Sequence, residues 1–252
     1  MKHLALIVVI VTGILLLHAS QDFPDWGDPD SPANDNQISQ HFITKTGEQT
    51  AVPNFVTAVL ADYRGFDTLF ETVVVFIAGI AIMAVLGLVR LDQLGKPAAA
   101  PSEPTDRDII IIQTCRIITP VIQLFALYVV AHGHHSPGGG FQGGVIFGAS
   151  LILMAISRDL PAALKRISAR RAFILAIVGI LIYGGIGLLC MTMGGNFLDY
   201  SVLHPLLPAT DSIMARSHGM LGVEIGVAFT VSTIMFAIYA LLSSGGRLKG
   251  GL

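Results

Sequence analysis

The chain has 252 residues, of which 53% are hydrophobic and only 13% charged, with a formal net charge of −2. Soluble domains carry about 25% charged residues, so half the expected charge is missing. Several stretches run long enough without a charge to cross a hydrocarbon core about 30 Å thick. This excludes a soluble globular protein, offers no basic footprint for nucleic acid, and predicts an all-α integral membrane protein with six transmembrane helices.

The first apolar segment covers residues 4–19. Lys2, the run Leu4 to Leu17 and the small pair Ala19 and Ser20 also fit a cleavable signal peptide, but the five spans that follow favour a retained helix. Residues 20–50 are polar, carry Pro24, Pro29 and Pro32, and read as an irregular excursion. The stretch "NFVTAVLADYRGFDTLFE" (54–71) turns helical: Asn54 is an N-cap, and Phe55, Val56, Val59, Leu60 and Tyr63 form one apolar stripe. It predicts a short helix on the membrane surface, broken at Gly65, with Thr68 to Glu71 as a capping box opening the second span, 70–89. "GKPAAAPSEPTDRD" (95–108) is a proline- and alanine-rich linker separating a two-helix part, 1–94, from a four-helix part, 109–252. The remaining spans are expected at 109–131, 141–157, 172–196 and 219–243.

Positive charge sets the orientation. Arg158, Lys165, Arg166, Arg170 and Arg171 crowd one loop, and placing it in the cytoplasm puts 11 of the 15 basic residues inside, with both termini. The loop from 20 to 67, with eight acidic residues, then lies outside.

"HGHHSPGGGFQGG" (132–144) contains G-x-G-x-x-G in Gly138, Gly140 and Gly143. A dinucleotide fingerprint needs a buried strand before it and a helix after it, whereas both flanks here are membrane spans, so no cofactor site is expected. The glycines have two other uses: Gly138 to Gly140 allow a tight reversal, and Gly140, Gly144 and Gly148, spaced by four, leave a bare strip for a neighbouring helix. Gly222 and Gly226 repeat the device on the sixth span. His132, His134 and His135 are chemically able to bind a divalent metal, but no carboxylate or thiolate stands near them in sequence. They are weak metal candidates, read first as interfacial or turn-capping residues. Cys115 and Cys190 lack any ligand spacing and are read as small core residues.

An ionisable group within a span is costly unless paired or near water, which makes each one a functional candidate. Glu224 sits a turn or two into the sixth span. Glu71 and Asp67 lie at the outer mouth of the second. Arg116 lies in the third, where it can snorkel to the interface or pair with Asp108, and Pro120 is expected to kink that helix. Glu224 is the hardest to dismiss, because a short carboxylate cannot snorkel far.

Two stretches resemble one known assembly. "HGHHSPGGGFQGGVIFGAS" is similar to the H-x-x-P-G-G-G-F-x-G-G turn of the MnhB subunit of Mrp-type (Mnh-type) sodium/proton antiporters, a likeness covering about 107–245, with His132, Pro137 to Phe141, Gly143 and Gly144 matching the turn. "NFVTAVLADYRGFDTLFE" resembles a segment near the end of the large MnhA subunit of the same complexes, and the small MbhE-like subunit of hydrogenase membrane arms, over about 50–90. Asp62, Arg64, Asp67, Thr68 and Glu71 match that segment. The resemblance implies an accessory subunit, without a resident cofactor, of a multi-subunit complex in a prokaryotic cytoplasmic membrane. That complex exchanges Na+ for H+ and its other subunits carry the long ion channels. The absence of lysine from every span agrees with an accessory role. In the antiporters the first segment is the tail of a much larger chain. Its separate occurrence here leaves open a redox-driven pump that shares the module, and a purely structural scaffold.

Overall fold

The computed structural model describes residues 2–32, 36–92, 109–207 and 211–245, with backbone only for 87–92. Among these residues every regular element is helical: α1 (Lys2–Ala19), α2 (Gln37–Thr50), α3 (Phe55–Ala58), α4 (Gly65–Asp92), α5 (Ile109–His132), α6 (Gly140–Ser157), α7 (Leu160–Arg166), α8 (Ala169–Thr192) and α9 (Ser212–Ser243). Six of them, α1, α4, α5, α6, α8 and α9, are long and apolar enough to cross a membrane. The linker 95–108 and Asp108, the partner expected for Arg116, lie outside the described residues.

The chain divides into two compact units, residues 1–44 and 45–252. The first contains α1, no residue of which is buried, and the beginning of α2. Contrary to the irregular excursion expected for 20–50, the later part of that stretch is helical. No apolar stripe announces that helix. Its signal is Asn36, whose Oδ1 accepts the Ile38 N–H at 2.9 Å and starts the first turn.

The second unit is built around α9. This helix carries a core of Met220, Val223, Val227 and Val231 against Tyr183, Cys190 and Tyr200, and is flanked by α8, α6 and α4. The spacing of four in Gly140, Gly144 and Gly148 meets the same spacing on α9. A Cβ on Gly144 would lie 3.1 Å from the Ala228 Cα, one on Gly148 would lie 2.9 Å from the Ser232 carbonyl oxygen, and one on Gly140 would collide with the Glu224 backbone. The two helices therefore touch backbone to backbone at three positions over about two turns, as small residues permit. On the opposite side of α9, Gly226 meets Gly179 of α8 in the same way, and Thr230 Oγ1 donates to the Ala176 carbonyl at 2.9 Å.

Several boundaries differ from those expected. The sixth span starts at Ser212, not 219, because Asp211 caps it through the Met214 N–H at 2.7 Å. Glu224 is thereby twelve residues into its helix, about 18 Å at 1.5 Å per residue, rather than a turn or two. The fifth ends at Thr192, ahead of Gly194 at φ +88°, and not at 196. The basic loop folds a short helix of its own, α7, capped by Asp159, whose Oδ1 accepts the Ala162 N–H at 2.6 Å. Thr68 opens no capping box: α4 already starts at Gly65, and the Thr68 hydroxyl donates to the Leu60 carbonyl at 2.7 Å.

Backbone contact between α6 and α9 makes a sharp prediction. Gly148→Val forces a side chain into the Ser232 carbonyl and should lower stability by about 1–3 kcal/mol. Gly184→Ala, with nothing within 4 Å of the added methyl, should raise it by about 0.5–1 kcal/mol through helix propensity. Thermal unfolding of the detergent-solubilised chain, read by exposure of buried Cys190 to a thiol dye, checks both.

Candidate functional site

The site begins with one carboxamide. Asn54 caps α3 through the Val56 N–H at 3.1 Å, while its Nδ2 donates to the carbonyls of Gly133 and Ser136 at 2.8 and 2.9 Å. Its own N–H donates to the His134 carbonyl at 3.0 Å, and Thr57 Oγ1 donates to the Gly133 carbonyl at 2.7 Å. Four hydrogen bonds thus fasten the histidine–glycine turn between α5 and α6 onto α3.

After α3 the backbone widens into a π turn, Val59–Tyr63, closed by the Arg64 N–H on the Val59 carbonyl at 2.7 Å. Such a turn frees carbonyls that a regular helix would satisfy, and side chains from elsewhere supply the donors. Thr68 serves Leu60, Tyr200 serves Ala61 at 2.8 Å, and Tyr183 serves Gly65 at 2.7 Å. Burial pushes the Tyr200 phenol up from its ordinary pKa, which keeps its hydroxyl a donor. Asp62 takes a two-pronged hydrogen bond from Arg216 at 2.7 and 2.8 Å, and the guanidinium lies 5.7 Å from the Tyr63 ring centre. Arg64 pairs with Asp67.

The fastened turn delivers His134. Gly139 adopts φ +120°, a value that favours glycine, and its N–H returns to the Val129 carbonyl at 3.1 Å, so the chain reverses directly into α6. Of Gly138 to Gly140, only Gly139 uses a positive φ. His134 is 8% exposed, and its Nδ1 lies 3.2 Å from the Ser217 hydroxyl. Its Nε2 lies 3.5 Å from Glu224 Oε2, and both atoms are buried without a hydrogen-bond partner. The Gly140 N–H, at the first turn of α6, is directed at the Glu224 carboxyl, where a helix N-terminus favours negative charge. A Cβ on Gly139 would lie 2.6 Å from Glu224 Oε1, so glycine is what lets the carboxyl approach.

Burial lowers the His134 pKa from 6.5, helped by the fields of His135 and His218. The lowered pKa favours the uncharged imidazole, and at 3.5 Å the ring nitrogen and the carboxyl oxygen stand just beyond ordinary N–H···O hydrogen-bond length. Glu224 also faces a cavity of about 470 Å³, shared with Glu71, Thr57, Thr68, Gln142 and Tyr183. Glu71 is exposed at the rim of this cavity.

Of the four carboxylate and guanidinium candidates, the structure gathers two, Glu224 and Glu71. Asp67 is half-exposed and paired with Arg64, and Arg116 lies at the opposite end of the bundle, in a cavity with Arg158 and Arg166. Exposed His132 stacks on Tyr128, ring centres 4.4 Å apart, with His135 beside it at 5.9 Å. Pro137 is exposed in the turn, Phe141 lines the cavity beside Glu224, and Gly143 presses on the Ala126 carbonyl of α5. Among the described residues, no three histidine, cysteine or acidic side chains group as metal ligands. Counted back from Pro137, the histidine of the H-x-x-P-G-G-G pattern falls on His134, not on His132, and His134 is the buried one. Sequence reasoning missed its pairing with Glu224, along with Asn54 as a clamp and the Asp62–Arg216 pair. The pattern's own register held the signal for the first of these.

Two family descriptions match the chain. The family described as "Domain related to MnhB subunit of Na+/H+ antiporter" matches residues 110–237, and MbhE, a family of MBH subunits, matches residues 30–99. Putative antiporter subunit mnhB2 of Staphylococcus aureus (strain Newman) is 27% identical over 140 residues, covering 56% of this chain and 97% of the relative. A chain in the structure of the membrane-bound sulfane sulfur reductase, an archaeal respiratory membrane complex, is similar at 25% identity and a TM-score of 0.61. The likeness covers 93% of this chain and 97% of that one. A chain of the Mrp complex from Dietzia sp. DQ12-45-1b shares the fold at 23% identity and a TM-score of 0.68. It covers 98% of this chain but 26% of its own length.

Two outcomes test the site's construction. Asn54→Ala should destabilise by about 2–3 kcal/mol, losing an N-cap and two donated bonds, and Asn54→Asp, which keeps the cap but sets a carboxylate oxygen against the Gly133 and Ser136 carbonyls, should destabilise at least as much; thermal unfolding measures both. Because the folded state holds His134 below its ordinary pKa, an unfolded chain takes up a proton that the folded one refuses. Stability should therefore fall as pH drops below about 6.5, and His134→Asn should flatten that dependence.

Proposed function

Because the chain belongs to the family of domains related to the MnhB subunit of Na+/H+ antiporters, we propose that it works as an accessory subunit of a multi-subunit Na+/H+ antiporter complex. It is a multi-pass protein of the cell membrane, a transporter component rather than an enzyme, and its partners are the other Mrp-type subunits and the bilayer. The basic segment around α7 faces the cytoplasm in this reading, which puts the histidine turn and the cavity at the outer end.

Within that role, Glu71, Glu224 and His134 form a short proton-handling path. The observation that carries this is the pair of buried, unbonded atoms, His134 Nε2 and Glu224 Oε2, 3.5 Å apart beside a cavity. Such orphaned polar atoms are uncommon in the buried parts of proteins and need a reason. A carboxyl and a neutral imidazole can share one proton with no net change in charge, and a small closing movement brings them within hydrogen-bond reach. Ser217 on the other ring nitrogen extends the chain by one hydroxyl. Glu71, exposed and on the same cavity, is placed to exchange protons or cations with solvent.

A second reading has its own support. The sulfane sulfur reductase chain is matched over nearly its whole length and the Mrp chain over about a quarter, so a two-part chain like this one also fits a membrane arm driven by electron transfer.

The test uses the intact complex, purified in gentle detergent with its partners identified by mass spectrometry. Large antiporter-type subunits without iron–sulfur or nickel–iron proteins are expected, and redox subunits in the same particle would establish the second reading. Reconstituted, Glu224→Gln should cut Na+/H+ exchange at least about tenfold, in line with general acid–base roles elsewhere, with Glu71→Gln milder. Full exchange by Glu224→Gln in an assembled complex would reduce this chain to a scaffold.

A further inference from the structure

At the end of the bundle away from His134, the structure holds a second cavity, of about 440 Å³, between α5, α6 and the short α7. Three guanidinium-bearing residues, Arg116, Arg158 and Arg166, line it, and no acidic residue does. None of the three forms an ion pair with a described carboxylate. The rest of the wall sets Phe147, Leu151 and Met154 beside the polar but uncharged Thr119, Gln123 and Ser157.

Arg116 is seven residues past Ile109, about 10 Å along the helix. It therefore sits below the end of the span, with Pro120 one turn further on. Proline has no N–H, so the Arg116 carbonyl lacks its usual helical donor, and the wall gains an acceptor. A span with an exposed cation near its end, a freed carbonyl and an apolar continuation is chemically amphiphilic in the order of a phospholipid: headgroup outward, acyl chain inward.

We propose that this cavity is a binding site for an anionic phospholipid, its phosphate held by Arg116, Arg158 and Arg166 and its acyl chain laid against Phe147 and Met154. Guanidinium groups match phosphate oxygens in fork geometry, and basic pockets between membrane helices recur as headgroup sites. No described carboxylate pairs with Arg116, and an anionic headgroup supplies the opposite charge from the bilayer itself. The site asks nothing of the proton path at the other end.

Cys115, which lines this cavity, provides the readout. The intact complex, delipidated in detergent, is treated with a maleimide, and Cys115 modification is followed by peptide mass spectrometry. Added are phosphatidylglycerol, phosphatidylcholine or inorganic phosphate. Phosphatidylglycerol is expected to slow modification, and phosphatidylcholine and inorganic phosphate are not. Arg116→Gln and Arg166→Gln should each raise the half-protecting lipid concentration about fivefold, while Lys165→Gln, outside the cavity, should raise it less than about twofold. Retained assembly of each variant, seen as co-elution of its partner subunits, shows that it has folded. Equal protection by phosphatidylcholine would overturn the proposal. So would protection by phosphate alone, which would mean a soluble anion. Protection that survives full delipidation would also overturn it, since it would mean that a neighbouring subunit supplies the carboxylate.

Discussion

The Asn54 carboxamide is the constraint on which the rest of the site depends. Its oxygen starts a helix and its nitrogen closes on two carbonyls of a turn about 80 residues away in the chain. A turn with Gly133, Gly138 and Gly139 in it has little intrinsic preference for one conformation, because glycine loses more freedom on ordering than any other residue. The carboxamide, Thr57 and the backbone N–H of Asn54 supply the missing order. Once the turn is fixed, His134 has one place to go, against the α9 carboxyl.

The same logic governs the depth of Glu224. α9 can bring a carboxyl against a helix start only because Gly140, Gly144 and Gly148 let the two backbones meet, and only because Gly139 leaves room for the carboxyl itself. The glycines are therefore both packing surface and part of the polar site. The π turn after α3 has a parallel role: it breaks the backbone pattern, and Tyr183, Tyr200 and Thr68 absorb the freed carbonyls. In this way the segment 54–71 and the glycine turn, which resemble two different subunits, are locked into one unit by hydrogen bonds that neither could make alone.

Much of this was legible in the residues. Long uncharged runs marked the six membrane-crossing helices, because burial in lipid leaves a compositional signature that neighbours do not alter. The four-residue spacing of Gly140, Gly144 and Gly148 pointed to a close helix neighbour, and Glu224 stood out as a short acid in an apolar stretch. What was illegible depended on distant partners. Thr68 looks like a cap until the Leu60 carbonyl is seen to claim its hydroxyl, and α2 has no apolar stripe to betray it. His132 and His134 differ in sequence by two positions, but one stacks on Tyr128 in the open and the other is buried on Glu224. The fastening of the turn buries His134, and the pattern counted back from Pro137 points to that residue, but its carboxyl partner on α9 does not show in the sequence.

The central claim is that Glu224 and His134 handle one proton between them while ions are exchanged. Isotope-edited infrared difference spectroscopy of the reconstituted complex, triggered by a Na+ jump, tests it directly. A carboxyl signal should appear that vanishes in Glu224→Gln and shifts in frequency in His134→Asn. A difference spectrum without any Glu224 contribution, recorded on a complex that is exchanging ions, would contradict the account.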